Sequence, residues 1–246
     1  MSAYLAAPNE TFDEHMARVF GQWEKVEHRL LPSIARLIGD EARAAEAAEL
    51  ALAFHDLGKL TKRWQERVEA LKGKSEGVGV PHAFLGGCYL VLVAESVGRE
   101  ELFAAAFAVA IHHMDSALAV PSLEQPDVLA IDMGLVNDET GRIEWAFDDA
   151  GGLPDRLRMA KVGDVSVVDS FDPVKLTVFD LARLSEELRS WSLGAGILER
   201  HRRRLLVAAI HSIIKVCDIR AAADRAGEGE KPTGINKIVL EGGLLV

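Results

Sequence analysis

The amino-acid sequence predicts an all-α bundle, and three observations carry that reading. Hydrophobic residues make up 49% of the 246-residue chain but aromatics only 6%, with Ala and Leu dominant, a composition suited to closely packed helices. Phe12, Met16, Val19, Trp23, Val26 and Leu30 recur every three to four positions and mark one buried stripe of a long helix. Later runs are apolar almost all round: Phe84–Val93, Leu102–Ile111, and Ala44–Phe54 beyond Glu49. Such helices belong inside a bundle. A chain of this size and apolar content builds a substantial core, and we read residues 1–246 as one domain.

Each element has a local cause. Thr11 followed by Glu14 has the form of a capping box and opens the first helix. Pro32 is expected to kink or restart it, and Gly39 to end it. Ala44–Phe54 forms the second helix, with Gly58 read as its C-cap. Leu60–Leu71 is amphipathic and carries Lys62, Arg63 and Arg67. Pro81 starts the next helix with His82 in its first turn, and Gly86 and Gly87 there allow another backbone to approach closely. Over 120–170 prolines and glycines punctuate short apolar pieces, and Asp138–Gly141 between Met133–Val136 and Ile143–Phe147 reads as a hairpin. This stretch is a small irregular or β-hairpin insertion. Helix resumes over Phe171–Trp191, breaks at Gly194-Ala195-Gly196, and runs again from Leu198 to about Ala226. Ile235–Leu240, within the tail 232–246, reads as a strand.

Composition also excludes. With 28 basic against 38 acidic residues the formal net charge is −10, which argues against a general nucleic-acid coat while leaving room for a local basic groove. Cys88 and Cys217 both fall in apolar helical runs and are too few for a disulfide scaffold or a thiolate zinc site. The first nine residues lack a basic segment followed by an apolar one, and no run reaches the length of a membrane span. The expectation is a soluble cytoplasmic protein that makes no use of a membrane.

The chemistry centres on Ala53-Phe54-His55-Asp56-Leu57-Gly58-Lys59, where an apolar helix ends on an imidazole, a carboxylate and an ammonium. A carboxylate in apolar surroundings must be paired or else protonate, and a metal ion satisfies His55 and Asp56 together. Neighbours on a helix point about 100° apart, so the two straddle a groove, with Asp56 able to bridge two ions. The plain alternative is that His55 and Asp56 merely hydrogen-bond each other. Further polar intrusions on buried faces strengthen the metal reading. His15 lies on the apolar stripe of the first helix, while His28, beside Glu27 and Arg29, lies on its solvated face. His112-His113 ends a buried helix; two such imidazoles repel when charged and need partners when neutral. In the last helix Asp218 and Asp224 border opposite edges of the apolar face, His211 lies on the Asp218 side, and periodicity does not choose between the two aspartates. Lys59 is placed to meet a phosphate at the pocket mouth, and the Arg200–Arg204 cluster offers further cations, Arg202 and Arg203 among them.

In order and spacing, His15, the His55-Asp56-Leu57-Gly58-Lys59 box, His82-Ala83-Phe84-Leu85-Gly86, the His112-His113 doublet and a late Asp followed by Ala221-Ala222 resemble the HD-domain metal-dependent phosphohydrolases. Within them the chain is most similar to the stand-alone HD nucleases of type I CRISPR interference. The resemblance implies an HD helical bundle binding two divalent metal ions. It implies that Asp56 bridges them, that His15, His55 and Asp218 complete one site, and that His82, His112 and His113 complete the other. A site this rich in imidazole favours manganese, iron, cobalt or nickel over magnesium. Two ions roughly 3.5 to 4 Å apart activate a water for in-line attack on a phosphodiester, with no side-chain nucleophile required. The implied substrate is single-stranded DNA, or RNA, held by Lys59 with Arg202 and Arg203. A CRISPR helicase subunit and an RNA-guided surveillance complex are the implied partners. Two other readings share the motifs: an HD phosphohydrolase acting on small nucleotides, and an idle HD module used for docking.

Overall fold

In the computed structural model, which describes residues 4–72, 82–113, 135–137, 139–170, 172–194 and 196–226, the first long helix starts where the capping box places it. The Thr11 hydroxyl accepts from the Glu14 backbone N–H, and the Glu14 carboxylate accepts from the Thr11 N–H at 2.9 Å. The chain enters through a short antiparallel pair, β1 (Leu5–Ala7) and β2 (Glu10–Thr11), before α1 (Phe12–Ile38). Gly39 ends α1 in the left-handed conformation at φ 83°. Pro32 neither kinks the element into two nor restarts it, since α1 is assigned without a break. Pro32 and His28, whose carbonyl loses its usual partner, both lie on the exposed face where water replaces the lost bond.

Asp40 caps α2 (Glu41–Phe54) by accepting from the Arg43 N–H at 3.0 Å. The expected C-cap is corrected here. His55, not Gly58, follows the last helical residue, and Gly58 lies within a 3-10 turn over Leu57–Leu60. Its lack of a side chain serves packing instead: a Cβ on Gly58 would collide with the His82 carbonyl oxygen. Gly86 works the same way one turn into the next long helix, against the Phe54 carbonyl. These two glycines press the His82 segment onto the end of α2. Thr61 then caps α3 (Lys62–Ala70), and α4 (Ala83–Val97) and α5 (Glu100–Ala110) follow.

The predicted hairpin near 138 is present among the described residues, with Val136 bridged antiparallel to Ile143 and the Gly141 N–H donating to the Asn137 carbonyl at 2.8 Å. A second small antiparallel pair joins β3 (Lys161–Val162) to β4 (Val165–Ser166). The next helix, α6 (Val178–Leu193), starts later than expected from sequence, because Pro173 heads a separate 3-10 turn and Thr177 with Asp180 forms a new capping box. α7 (Ile197–Ala226) closes the described chain. The part of the insertion before 135, the loop at 73–81 and the expected strand at 235–240 lie outside the described residues.

α1 packs along α7 and α2, α4 pairs with α5, and α5 also lies against α7 and α2. Insertion residues Trp145, Phe147, Leu157 and Val162 are buried in the same hydrophobic cluster as these helices. Cys88 and Cys217 are buried free thiols. Among the described residues no helix is long and apolar enough to cross a membrane.

Candidate metal centre

The end of α2 delivers His55 and Asp56 into the middle of the bundle, at 0% and 1% exposure. Phe54, stacked on Tyr89 of α4 with ring centroids 5.1 Å apart, anchors that end. Around it α1 contributes His15, the turn before α4 contributes His82, the end of α5 contributes His112 and His113, and α7 contributes Asp218.

The donors fall into two groups: His15 with His55 and Asp218, and His82 with His112 and His113, the donor atoms of each group lying within 4.8 Å of one another. Asp56 stands between them and divides its oxygens. Its Oδ2 lies 3.0 Å from His15 Nε2 and 3.3 Å from His55 Nε2, while Oδ1 lies 3.2 Å from His82 Nε2. His15 Nε2 is also 3.4 Å from Asp218 Oδ1, and His82 Nε2 faces His113 Nε2 at 2.9 Å.

Ring orientation explains why the same nitrogen faces inward in His55 and His112. His55 Nδ1 lies 2.8 Å from the Leu52 carbonyl, and His112 Nδ1 lies 2.8 Å from the Val109 carbonyl. A carbonyl oxygen only accepts, so each Nδ1 carries a proton, and in its neutral form each ring presents the Nε2 lone pair to the centre. His15 Nε2, His55 Nε2, His112 Nε2 and Asp56 Oδ2 are all buried without an aligned hydrogen bond. A buried polar atom left so costs about 1–3 kcal/mol. Convergent, desolvated N and O donors that meet mainly one another and the Lys59 ammonium fit a divalent cation.

The charges in the metal-free protein follow. Burial opposes ionisation of Asp56, but His55, Lys59 and His15 outweigh it and hold its carboxyl well below the usual range. Burial likewise opposes a charged His15, yet Asp218, Asp56 and Glu10 override it and raise its pKa to about 11. Asp218 is held low against burial, chiefly by His15. The second group behaves oppositely: burial first, then the neighbouring imidazoles, keep His112 neutral far below its ordinary value, and the same causes push His113 down to about 4. His15 therefore carries a proton that an ion must displace, whereas His112 and His113 are already in the ligating form.

No family model matches the sequence. The chain is 21% identical over 241 residues to the CRISPR-associated endonuclease Cas3-HD of Methanocaldococcus jannaschii, covering 92% of this chain and 91% of that protein. It is 26% identical to the endonuclease of the same name from Thermoproteus tenax (89% and 88% covered), and 22% to that from Pyrococcus furiosus (92% and 94% covered). In three dimensions it matches the CRISPR-associated Cas3 HD domain protein of Methanocaldococcus jannaschii with a TM-score of 0.58 at 18% identity, over 87% of this chain and all of that one. The fold is that of an HD domain. Of the two late aspartates, Asp218 lies beside His15 and His55, whereas Asp224 accepts from Gln22 Nε2 at 2.5 Å on an exposed stretch of α7.

The three expected substrate-binding cations lie at different distances from these donors. Arg202 and Arg203 do not line the centre, since they precede Asp218 on α7 by fifteen or sixteen residues, about 22–24 Å along the axis. Their guanidiniums are engaged elsewhere, Arg202 with Glu199 at 2.7 Å and Arg203 with Glu100 at 2.6 Å. Lys59 is next to the centre but turned inward, its Nζ 2.7 Å from Asp56 Oδ2 and 5.4 Å from the Trp64 ring centroid. Trp64 was not singled out from sequence; it packs edge-on against His82 at 4.7 Å, on the face of α3 that reads simply as apolar. Glu10 was missed too, and it touches His15 Nδ1 at 3.4 Å.

Proposed function

We propose that the protein is a metal-dependent HD nuclease that hydrolyses phosphodiester bonds of single-stranded DNA, or RNA, in CRISPR interference. The observation that carries this reading is the division of Asp56 between two groups of three donors, which suits a carboxylate that spans two ions. His15, His55 and Asp218 would hold one ion, and His82, His112 and His113 the other, with Asp56 common to both. When bound, such ions polarise water and neutralise charge on the phosphoryl oxygens and leaving group.

The chain's own residues supply the rest. His55 and His112, fixed through their Nδ1 protons, form a rigid buried back wall, while exposed His113 and half-buried Asp218 mark the open side from which a strand enters. Lys59 neutralises Asp56 in the metal-free centre, and with ions bound there its ammonium would be free to meet a phosphate. Arg63, exposed on α3, adds a second cation in the same part of the chain. With a net charge of −10 the protein binds free nucleic acid weakly, so a helicase subunit and an RNA-guided complex deliver the strand. The three relatives, each a CRISPR-associated endonuclease Cas3-HD, support the nuclease reading.

The test is cleavage of circular single-stranded DNA by chelator-stripped protein with manganese restored, beside Asp56→Asn. Metal-dependent opening of the circle by the wild type, absent in the variant, is expected. A wild type that binds manganese, leaves the circle intact and hydrolyses mononucleotides would replace this reading with the small-nucleotide one.

A further inference from the structure

Glu10 is the least expected buried charge in the molecule. It sits on β2, ahead of the helix that carries His15, and is 1% exposed. A carboxylate there is tolerable only when paired. Its Oε1 accepts from Arg18 of α1, and its Oε2 accepts from Arg225 of α7 at 2.7 Å. The same Oε2 stands 3.4 Å from His15 Nδ1, an ion-pair contact without an aligned hydrogen bond.

We propose that Glu10 is the positioning residue of the His15 half of the centre, its carboxylate facing the Nδ1–H so that Nε2 faces Asp56 and Asp218, and tying α1 to α7 through Arg225. The inference rests on the metal-binding reading. Its motive is a gap in a pattern. His55 and His112 are oriented by backbone carbonyls within their own turns, whereas His15, in the middle of α1's first turns, has no such acceptor assigned and meets a carboxylate from another strand. A carboxylate behind a ligating imidazole both fixes the ring and strengthens its basicity. The Arg225 contact adds a second effect. Arg225 and Asp218 are seven residues apart on α7, two turns on one face and about 10 Å along the axis. Glu10 thereby holds together the two helices whose side chains, His15 and Asp218, complete one group of donors.

The experiment is a manganese titration by calorimetry of the full chain as wild type, Glu10→Gln and Arg18→Met, with melting of each metal-free protein. Glu10→Gln is expected to weaken one of two ions about 10- to 100-fold and leave the other unchanged. Arg18→Met, which loosens the clamp but keeps the acceptor behind His15, is expected to lower the melting temperature and retain both affinities. Equal affinities in wild type and Glu10→Gln would overturn the inference, as would equal weakening of both ions or an Arg18→Met variant that loses the same ion. Should Glu10→Gln fail to fold, long-range proton–nitrogen spectra of the zinc-loaded wild type decide: a protonated Nδ1 and metal-bound Nε2 on His15 are expected, and metal at Nδ1 would refute the idea. A wild type that takes up no ion in either experiment would remove the metal reading itself, and this inference with it.

Discussion

Two clusters of buried charge in this bundle are built on opposite rules. Where α2 meets α5, Glu101, 3% exposed, accepts from Arg43 Nε at 2.8 Å and Arg99 Nε at 2.5 Å, and Arg99 also reaches Glu46. Glu46 in turn accepts from the Gly163 N–H at 2.9 Å, which pins the β3–β4 turn to α2. Nearly every polar atom there has a protein partner; Arg99 Nη2 is the exception. Around Asp56 the reverse holds, with inward-facing nitrogens and a carboxylate oxygen left without aligned bonds. Charge that serves structure is satisfied by the chain itself. Charge held ready for a ligand is positioned by one atom and left unsatisfied at the other.

That contrast can be broken at either end. The largest effect is expected from Asp56→Asn, which should lower metal-dependent cleavage by about 10³-fold or more, on the scale of losing a centrally placed electrostatic group. The metal-free fold should survive it, checked by circular dichroism. Glu101→Ala is the mirror experiment. It should cost about 2–3 kcal/mol in urea unfolding, below the figure for a fully buried pair because Arg43 is 43% exposed, while manganese affinity stays unchanged.

Saturating manganese should next stabilise the wild type, by about 2.7 kcal/mol for each ion at a hundred times its dissociation constant, and do so far less in Asp56→Asn. Acid should expose the structural cluster. Burial alone would raise the Glu101 carboxyl, but Arg43 and Arg99 bring it below its ordinary value. A carboxyl with a lowered folded-state pKa contributes stability above its unfolded value near 4.5 and loses it as pH falls through the folded one. The stability gap between wild type and Glu101→Gln should therefore narrow on acidification below about pH 4.5. Least of all, Arg203→Ala should leave cleavage unchanged, because its guanidinium is paired with Glu100 far from Asp56.

How far this was legible in the sequence depended on whether a residue's role follows from its own element. The helices, and the placing of His15, His55, Asp56 and His112 on buried faces, follow from periodicity and capping, which are local. Asp218 against Asp224 does not, because the two border one face and only the approach of α1 separates them. Arg202 and Arg203 read as a basic cluster since nothing local shows that Glu100, a hundred residues earlier, lies beside them. Glu10 escaped notice for the same reason: its partners Arg18, His15 and Arg225 come together only through packing. Its one local signal is an acidic residue directly before a capping threonine, a pattern with many uses.

The central claim is that Asp56 is shared between two ions, and manganese-soaked crystals measured on both sides of the manganese absorption edge test it most directly. Two anomalous peaks are predicted, one among His15, His55 and Asp218, the other among His82, His112 and His113, each in contact with a different oxygen of Asp56. A single peak, or two peaks that leave Asp56 uncoordinated, would contradict it.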